Sequence, residues 1–228
     1  MAEVAIALDL SGASAALRLV DELGDLAAWY KVGPVPFVTG GPALVRELRE
    51  RGKRVFLDLK WHDIPSTVAG AVEAAGALGV GLATVHLSGG RRMLEAAFAK
   101  RAGDIRLVGV GVLTAFDGES FREAVGRAEV SILDEQLRLV RAGLDAGLDA
   151  FVTSPAELAE VRRAAGDGAF LVVPGIRPRG GDSGDQARTA TPREAVLRGA
   201  DLLVVGRPVT AARSPRDALK SILEDMEM

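Results

Sequence analysis

The 228-residue chain contains no cysteine. Disulfides, thiolate catalysis and cysteine-ligated metal are therefore excluded. Histidine is scarce too, with two in the whole sequence. A metal site would have to draw on carboxylates, and no spacing in the chain demands one. No uninterrupted apolar run approaches the ~20 residues that a membrane span requires. The opening stretch MAEVAIALDLSG lacks a basic n-region and a cleavage pattern, so no signal peptide is expected. A soluble, cytoplasmic protein is the expectation. An excess of positive charge is also missing, since the net charge is -3. Without a basic field the chain is not steered toward nucleic acid, and an anionic substrate would need local positive charge. Arginine greatly outnumbers lysine, which makes each lysine more informative.

What is present is a large apolar fraction, 48% of residues, enough for a sizeable core. It is organised as eight short runs, each followed by an amphipathic segment. The runs are Val4–Leu10, Trp29–Gly33, Lys53–Leu59, Val80–Leu87, Arg106–Leu113, Asp149–Val152, Ala169–Val173 and Leu202–Gly206. They are rich in Val, Leu and Ala and nearly continuous, as strands buried on both faces should be. Between them, apolar residues recur at helical spacing. One stripe is Leu44, Val45 and Leu48, stopped by Gly52. Another is Met93, Leu94, Ala97 and Phe98, stopped by Gly103, and a third is Leu133, Leu137, Val140 and Leu144, stopped by Gly147. Ser154-Pro155, Thr191-Pro192 and Ser214-Pro215 each read as a hydroxyl N-cap with Pro at the first helical position and an acid at N3. Eight strand–helix units without a linker predict an α/β fold, a single (β/α)8 TIM barrel with a closed parallel sheet, as one domain over residues 1–228. An open doubly wound sheet would normally carry a Gly-rich turn after an early strand, and Asp9-Leu10-Ser11-Gly12 is not one. Two connections read as long loops, Thr114–Ala128 and Pro174–Ala190.

Barrel sites gather at the C-terminal ends of the strands. Those ends present Asp9, Lys31, Asp58 with Lys60 and Asp63, His86, Thr114, Arg177, and Gly206-Arg207. Lys31, Asp58, Lys60 and Asp63 alternate in sign. Asp58 and Lys60 lie two apart, which in a regular strand puts them on one side. Ammoniums set between carboxylates hold each other charged in a partly dry site. A lone Asp-Leu-Lys is ordinary surface; Asp9 and Lys31 on neighbouring strands turn the balance toward function. The run Pro174–Gly181 and the later Val205–Pro208 follow strands seven and eight, where barrels often bind phosphate through backbone N–H groups, with Arg adding bidentate contacts. Either loop alone could be solvated surface; together they indicate an anion grip. His86 is expected to be buried and hydrogen-bonded, His62 to shape its loop, and Trp29 and Trp61 to wall or pack beside the site lysines. Arg179 and Arg188 read as surface charges.

Phe56–Thr67, containing Asp58-Leu59-Lys60-Trp61-His62-Asp63-Ile64-Pro65-Ser66-Thr67, resembles the signature of the orotidine 5′-phosphate decarboxylase family. The likeness extends over nearly the whole chain: Leu8-Asp9, Tyr30–Gly33, Leu113-Thr114, Pro174–Pro178, Gly184–Gln186 and Val205–Val209. The resemblance implies cofactor-free, metal-free decarboxylation of orotidine 5′-monophosphate to uridine 5′-monophosphate, the last step of de novo pyrimidine synthesis. It implies that Lys60 protonates C6 of the pyrimidine and that Asp58 lies near the substrate carboxylate. Asp9 and Lys31 would bind ribose hydroxyls and complete the charge chain. Asp63, with Thr67, would reach the ribose in the partner subunit's site of a homodimer. Thr114 would lie near the pyrimidine. Arg177, Gln186, Gly206 and Arg207 would bind phosphate and close the loop over it. After Leu113-Thr114 the chain reads Ala115-Phe116-Asp117-Gly118, where the family often has a Ser-containing stretch. The rival on the same barrel is a metal-dependent sugar-phosphate decarboxylase or aldol synthase, which needs an acidic ligand where Lys31 stands. A sugar-phosphate epimerase would want a His/Asp metal set, and a noncatalytic phosphate-binding barrel would leave the alternating Lys and Asp unexplained.

Overall fold

In the computed structural model, residues 2–178 and 188–227 are described. Eight parallel strands close into one barrel in chain order. They are β1 (Glu3–Ala7), β2 (Trp29–Val32), β3 (Arg54–Trp61), β4 (Leu82–His86), β5 (Arg106–Val110), β6 (Ala150–Val152), β7 (Phe170–Val173) and β8 (Leu202–Val205). Every residue of β2 and β8 is buried, because the helices cover one face and the barrel interior the other. Most of the expected runs end one to three residues beyond the ladder. At the barrel mouth the chain leaves the regular ladder before its apolar character ends, as Val112 does after β5, where its N–H goes to the Gln136 side chain. The third strand does the opposite and runs on through Lys60 to Trp61.

The connecting helices are α1 (Ala13–Leu23), α2 (Pro34–Glu50), α3 (Pro65–Ala77), α4 (Gly90–Ala99), α5 (Gly118–Val125), α6 (Ile132–Asp145), α7 (Leu158–Ala165), α8 (Pro192–Leu197), α9 (Arg207–Thr210) and α10 (Pro215–Glu227). Gly52 and Gly147 follow α2 and α6 in the left-handed region, with φ of 72° and 91°, where a side chain would be strained. Gly103 also has positive φ, but α4 has already ended at Ala99, so it turns the connection rather than capping the helix. Thr191 forms a capping box with Glu194 at α8, and the Ser214 hydroxyl accepts from Asp217 N–H at α10.

Three expectations are corrected. The helix after Ser154 begins only at Leu158, with Glu157 at the N-cap instead of N3. There the Ser154 hydroxyl accepts from Ala156 N–H and donates to the Glu157 carboxylate, holding a turn. The stretch Thr114–Ala128 is not all loop, for it contains α5. Asp117 and Ser120 cap that helix reciprocally, and a Ser at N3 disguises the usual acidic signature. The buried face of α6 is rotated from the expected stripe and centres on Gln136, Leu139, Val140 and Gly143. Gly143 lies against Phe151, and a Cβ there would come within 2.7 Å of that ring. A polar residue and a glycine on the inner face defeat a reading based on large apolar side chains.

Candidate active site

The C-terminal ends of the strands surround a cavity of about 470 Å³. Its floor is apolar, lined by Ala7, Phe56, Val110, Val152 and Val172 from β1, β3, β5, β6 and β7. One wall carries Asp9, Lys31, Asp58 and Lys60; the other carries Gly175, Arg177, Gly206 and Arg207, with Thr114 between them on the rim.

The charged wall is a chain of alternating ions. Lys31 donates to both Asp9 carboxylate oxygens at 3.2 and 3.1 Å and lies 3.4 Å from Asp58 Oδ2. Lys60 Nζ donates to Asp58 Oδ1 at 2.9 Å. Lys31 and Asp58 are buried, whereas the Lys60 side chain is 38% exposed at the cavity edge. Burial pushes the Asp58 carboxyl upward, but the ammoniums of Lys31 and Lys60 and hydrogen bonds from Lys60 and Thr84 outweigh it. Asp58 is therefore held below the ordinary carboxylate value. The close approach of Asp9 to Lys31 needs Gly33: a Cβ there would meet Asp9 Oδ1 at 2.7 Å and Lys31 Nζ at 3.3 Å.

Regular strand alternation is not what joins Asp58 to Lys60. The β3–β4 register shifts between Leu57, opposite Ala83, and Trp61, opposite Val85. Within that irregularity Lys60 has φ of 50°, the sole non-glycine with positive φ among the described residues. Such a conformation costs on the order of 1–3 kcal/mol and persists only where its surroundings over-determine it. Asp63 stays apart from this cluster. It is exposed, outside the cavity lining, and its Oδ1 accepts from Ile64 N–H at 2.6 Å. Thr67 is exposed on α3 as well.

On the opposite wall, backbone bonds stitch the two ends of the β7–α8 connection. Arg177 N–H donates to the Ala190 carbonyl at 2.9 Å, and Ala190 N–H donates to Gly175 at 3.3 Å. This places the Arg177 segment beside Gly206 and Arg207, which open α9. Gln186 and Arg179 lie outside the described residues. Arg188 is not a surface charge. It pairs with the Glu157 carboxylate, both side chains being 14% exposed or less, and donates to the Leu113 carbonyl at 3.1 Å. It thus ties the loops after β5, β6 and β7 together.

The two histidines take different places. His86 is half-buried, with its Nδ1 2.6 Å from Ser88 Oγ, and His62 stacks on it from the exposed side at 5.1 Å. Trp29 does not wall the lysines. It lies one layer down, where its Nε1 donates to Glu3 at 3.1 Å and Arg54 covers its ring. Two contributors were missed from sequence. Thr84, fully buried in β4, donates to Asp58 Oδ1 at 3.1 Å and accepts from Lys60 N–H at 2.8 Å. Gln136 accepts from Val112 N–H at 2.8 Å and donates to the Val152 carbonyl at 3.0 Å, fixing the rim below Thr114. The signal for both was a polar residue inside an apolar pattern.

Comparison with known proteins agrees with this geometry. Residues 2–222 match the family described as Orotidine 5'-phosphate decarboxylase / HUMPS family. Orotidine 5'-phosphate decarboxylase of Moorella thermoacetica is 44% identical over 234 residues, covering 99% of this chain and 92% of its own. The enzyme of the same name from Sodalis glossinidius is 44% identical, covering 98% and 90%. Among solved structures, orotidine 5'-phosphate decarboxylase from Lactobacillus acidophilus aligns with a TM-score of 0.87 at 30% identity over 100% of both chains. An uncharacterized conserved protein from Geobacillus kaustophilus aligns at 0.84 with 29% identity, covering 98% and 99%. The chain belongs to the orotidine 5'-phosphate decarboxylase / HUMPS family.

Proposed function

We propose that this protein decarboxylates orotidine 5′-monophosphate to uridine 5′-monophosphate, with no cofactor and no metal, and that Lys60 supplies the proton. The observation that carries this reading is an ammonium pinned by a buried carboxylate over an apolar floor, across the cavity from two arginines. In the reaction the C6–carboxylate bond breaks and CO2 departs. The electron pair stays on C6, where no carbonyl is placed to delocalise it. The Lys60 ammonium, fixed in advance, stabilises that charge as it develops and then gives C6 a proton; the resulting amine is reprotonated from water. Preorganised charge of this kind is usually the largest single catalytic contribution. Asp58 orients the ammonium and lies where the departing carboxylate is crowded. Lys31 keeps Asp58 ionised, and with Asp9 it offers hydrogen bonds to ribose hydroxyls.

Arg177, Arg207 and the backbone at Gly206 suit a dianionic phosphate through charge-assisted hydrogen bonds. That grip is remote from the reacting carbon, so its binding energy can offset the cost of ordering the site; Gln186 joins it in this reading. Thr114 faces the pyrimidine. A metal-dependent sugar-phosphate enzyme would want an acidic ligand where the Lys31 ammonium sits between Asp9 and Asp58.

The protein acts as a cytoplasmic homodimer with shared sites. Asp63 and Thr67 face outward, flanking Ile64, which is 63% exposed, and an apolar side chain so placed beside a catalytic strand suits contact with a second copy. No helix among the described residues is long and apolar enough to cross a membrane. The decisive experiment is a decarboxylation assay on orotidine 5′-monophosphate with and without chelator. CO2 release that chelator leaves unchanged is the expected result; loss of activity on chelation overturns the metal-free mechanism.

A further inference from the structure

We propose that Thr84 is a positioning residue for proton transfer, its hydroxyl locking the Asp58 carboxylate and the Lys60 backbone into one rigid unit. The inference rests on the reading that Lys60 protonates the substrate.

Between the pairs Leu57–Ala83 and Trp61–Val85, β3 advances four residues while β4 advances two. The surplus residues cannot all keep ladder partners, and a buried backbone N–H without an acceptor is costly. Thr84 resolves this with a side chain. Its Oγ1 accepts from Lys60 N–H at 2.8 Å, so the irregular segment keeps a bond that a regular strand would have made to a carbonyl. The same oxygen carries the proton that goes to Asp58 Oδ1, at 3.1 Å. Asp58 Oδ1 in turn receives Lys60 Nζ at 2.9 Å. The result is a closed loop: Lys60 backbone to Thr84 hydroxyl, Thr84 hydroxyl to Asp58, Asp58 to the Lys60 ammonium. Both ends of one lysine are therefore referenced to a single fixed point on the neighbouring strand.

The location fits an indirect role. Thr84 is 0% exposed, its strand neighbours Ala83 and Val85 are apolar, and it does not line the cavity. A hydroxyl in such surroundings is retained against its desolvation only where it is bonded in both directions, as it is here. The positive φ of Lys60 makes the point sharper. Lys60 lines the cavity from that backbone shape, and the Thr84 bond is the one that holds its own N–H there, beside the Asp58 bond to its ammonium and the Trp61–Val85 pairing that follows.

The test compares Thr84→Val, nearly the same shape without the hydroxyl, with Thr84→Ser, which keeps it. The valine variant is expected to lose roughly 10–100-fold in kcat, the scale of a charge network loosened by one hydrogen bond, while KM for orotidine 5′-monophosphate and the Kd for uridine 5′-monophosphate move little. The acid limb of its kcat–pH profile should move to higher pH, because Asp58 loses a donor that favours its ionised form. Thr84→Ser should restore most of the rate and the limb. Wild-type kcat and pH profile in Thr84→Val overturn the proposal. So does a serine variant as slow as valine when circular dichroism shows both folded. Should valine prevent folding, Thr84→Ala set against Thr84→Ser gives the same comparison. Lys60→Ala measured alongside separates the failures: an active Lys60→Ala protein sinks the proton-donor reading, whereas an inactive one beside a normal Thr84→Val protein sinks this inference alone.

Discussion

The two ends of the same barrel strands carry ion pairs of different make. At the closed end, Arg54 from β3 pairs with Glu3 and covers the Trp29 ring. Arg106, opening β5, grips Asp149 with two nitrogens at 3.0 and 2.7 Å and covers Phe170. At the mouth the cations in contact with the strand carboxylates are lysines, Lys31 and Lys60. Arginine forks suit planar carboxylates and aromatic faces, and they do not give up a proton at physiological pH. An ammonium is a compact charge that retains donors after one is engaged, and it can transfer a proton. The arginine end therefore reads as stability and the lysine end as chemistry. The mouth also holds the strained backbone at Lys60, which the closed end lacks among the described residues.

The largest effect should come from breaking the mouth. Lys60→Ala is expected to reduce kcat by roughly 10⁴-fold or more, since both charge stabilisation and proton donation are lost. Binding of uridine 5′-monophosphate, read by calorimetry, should stay roughly unchanged. Lys60→Arg sharpens the contrast: it keeps a charge near Asp58 but cannot deliver a proton, and it should remain nearly as slow. A fast arginine variant would erase the distinction between the two ends.

A third set of charges is Arg177 and Arg207, on the cavity wall that also carries Gly175 and Gly206. Arg207→Ala should raise KM by roughly 10–100-fold, the loss of one or two charge-assisted hydrogen bonds. A nucleoside without phosphate should respond far less to the same change. If Arg207→Ala instead lowers kcat alone, the arginine acts in the chemistry and not as an anchor. The outward placement of Asp63 is tested by mixing. Asp63→Asn and Lys60→Ala proteins, each inactive, should recover up to about a quarter of wild-type activity after subunit exchange, because half the dimers are mixed and each has one intact site. Verified mixed dimers with no activity would exclude a shared site.

Most of this architecture was legible because it rests on patterns that tertiary contacts reinforce. Near-continuous Val and Leu runs with Gly stops led to eight strands and to the ordered mouth residues. What stayed hidden depended on exceptions to pattern. The route by which Asp58 meets Lys60 runs through a register shift that no alternation rule contains. Thr84 and Gln136 sit where apolar residues were expected, and their value comes from partners 26 and 24 residues away. Arg188 looked like surface because its partners Glu157 and Leu113 are brought to it only by the closed barrel. Gly33 matters through a side chain on another strand's loop. Local rules located the site; non-local hydrogen bonding shaped it.

At the closed end, changes should touch stability and leave catalysis alone. Arg106→Ala removes a partly exposed bidentate pair, worth about 0.5–1 kcal/mol, and should lower Tm by roughly 1–4 °C without altering kcat. A fall in kcat at normal Tm would show that the two ends are coupled.

The smallest effect concerns pH and separates the ends by window. Burial lowers the His86 pKa from its ordinary 6.5, with the charges of His62 and Lys60 adding to the shift. A histidine whose pKa falls on folding binds its proton less readily in the native state. Its contribution to stability is complete above 6.5 and is lost as pH drops through the folded value. At the closed end, the bidentate Arg106 bond, partly opposed by burial, lowers Asp149 from 3.8, so its contribution persists to far lower pH. Tm measured between pH 8 and 5 should therefore decline gently in the wild type, and less steeply in His86→Gln. Asp149→Asn should leave that slope in place and lower Tm by a near-constant amount across it, an offset that fades only once pH falls below 3.8. An unchanged slope in His86→Gln would mean that burial does not shift His86 and that the loss of stability toward acid arises at other groups.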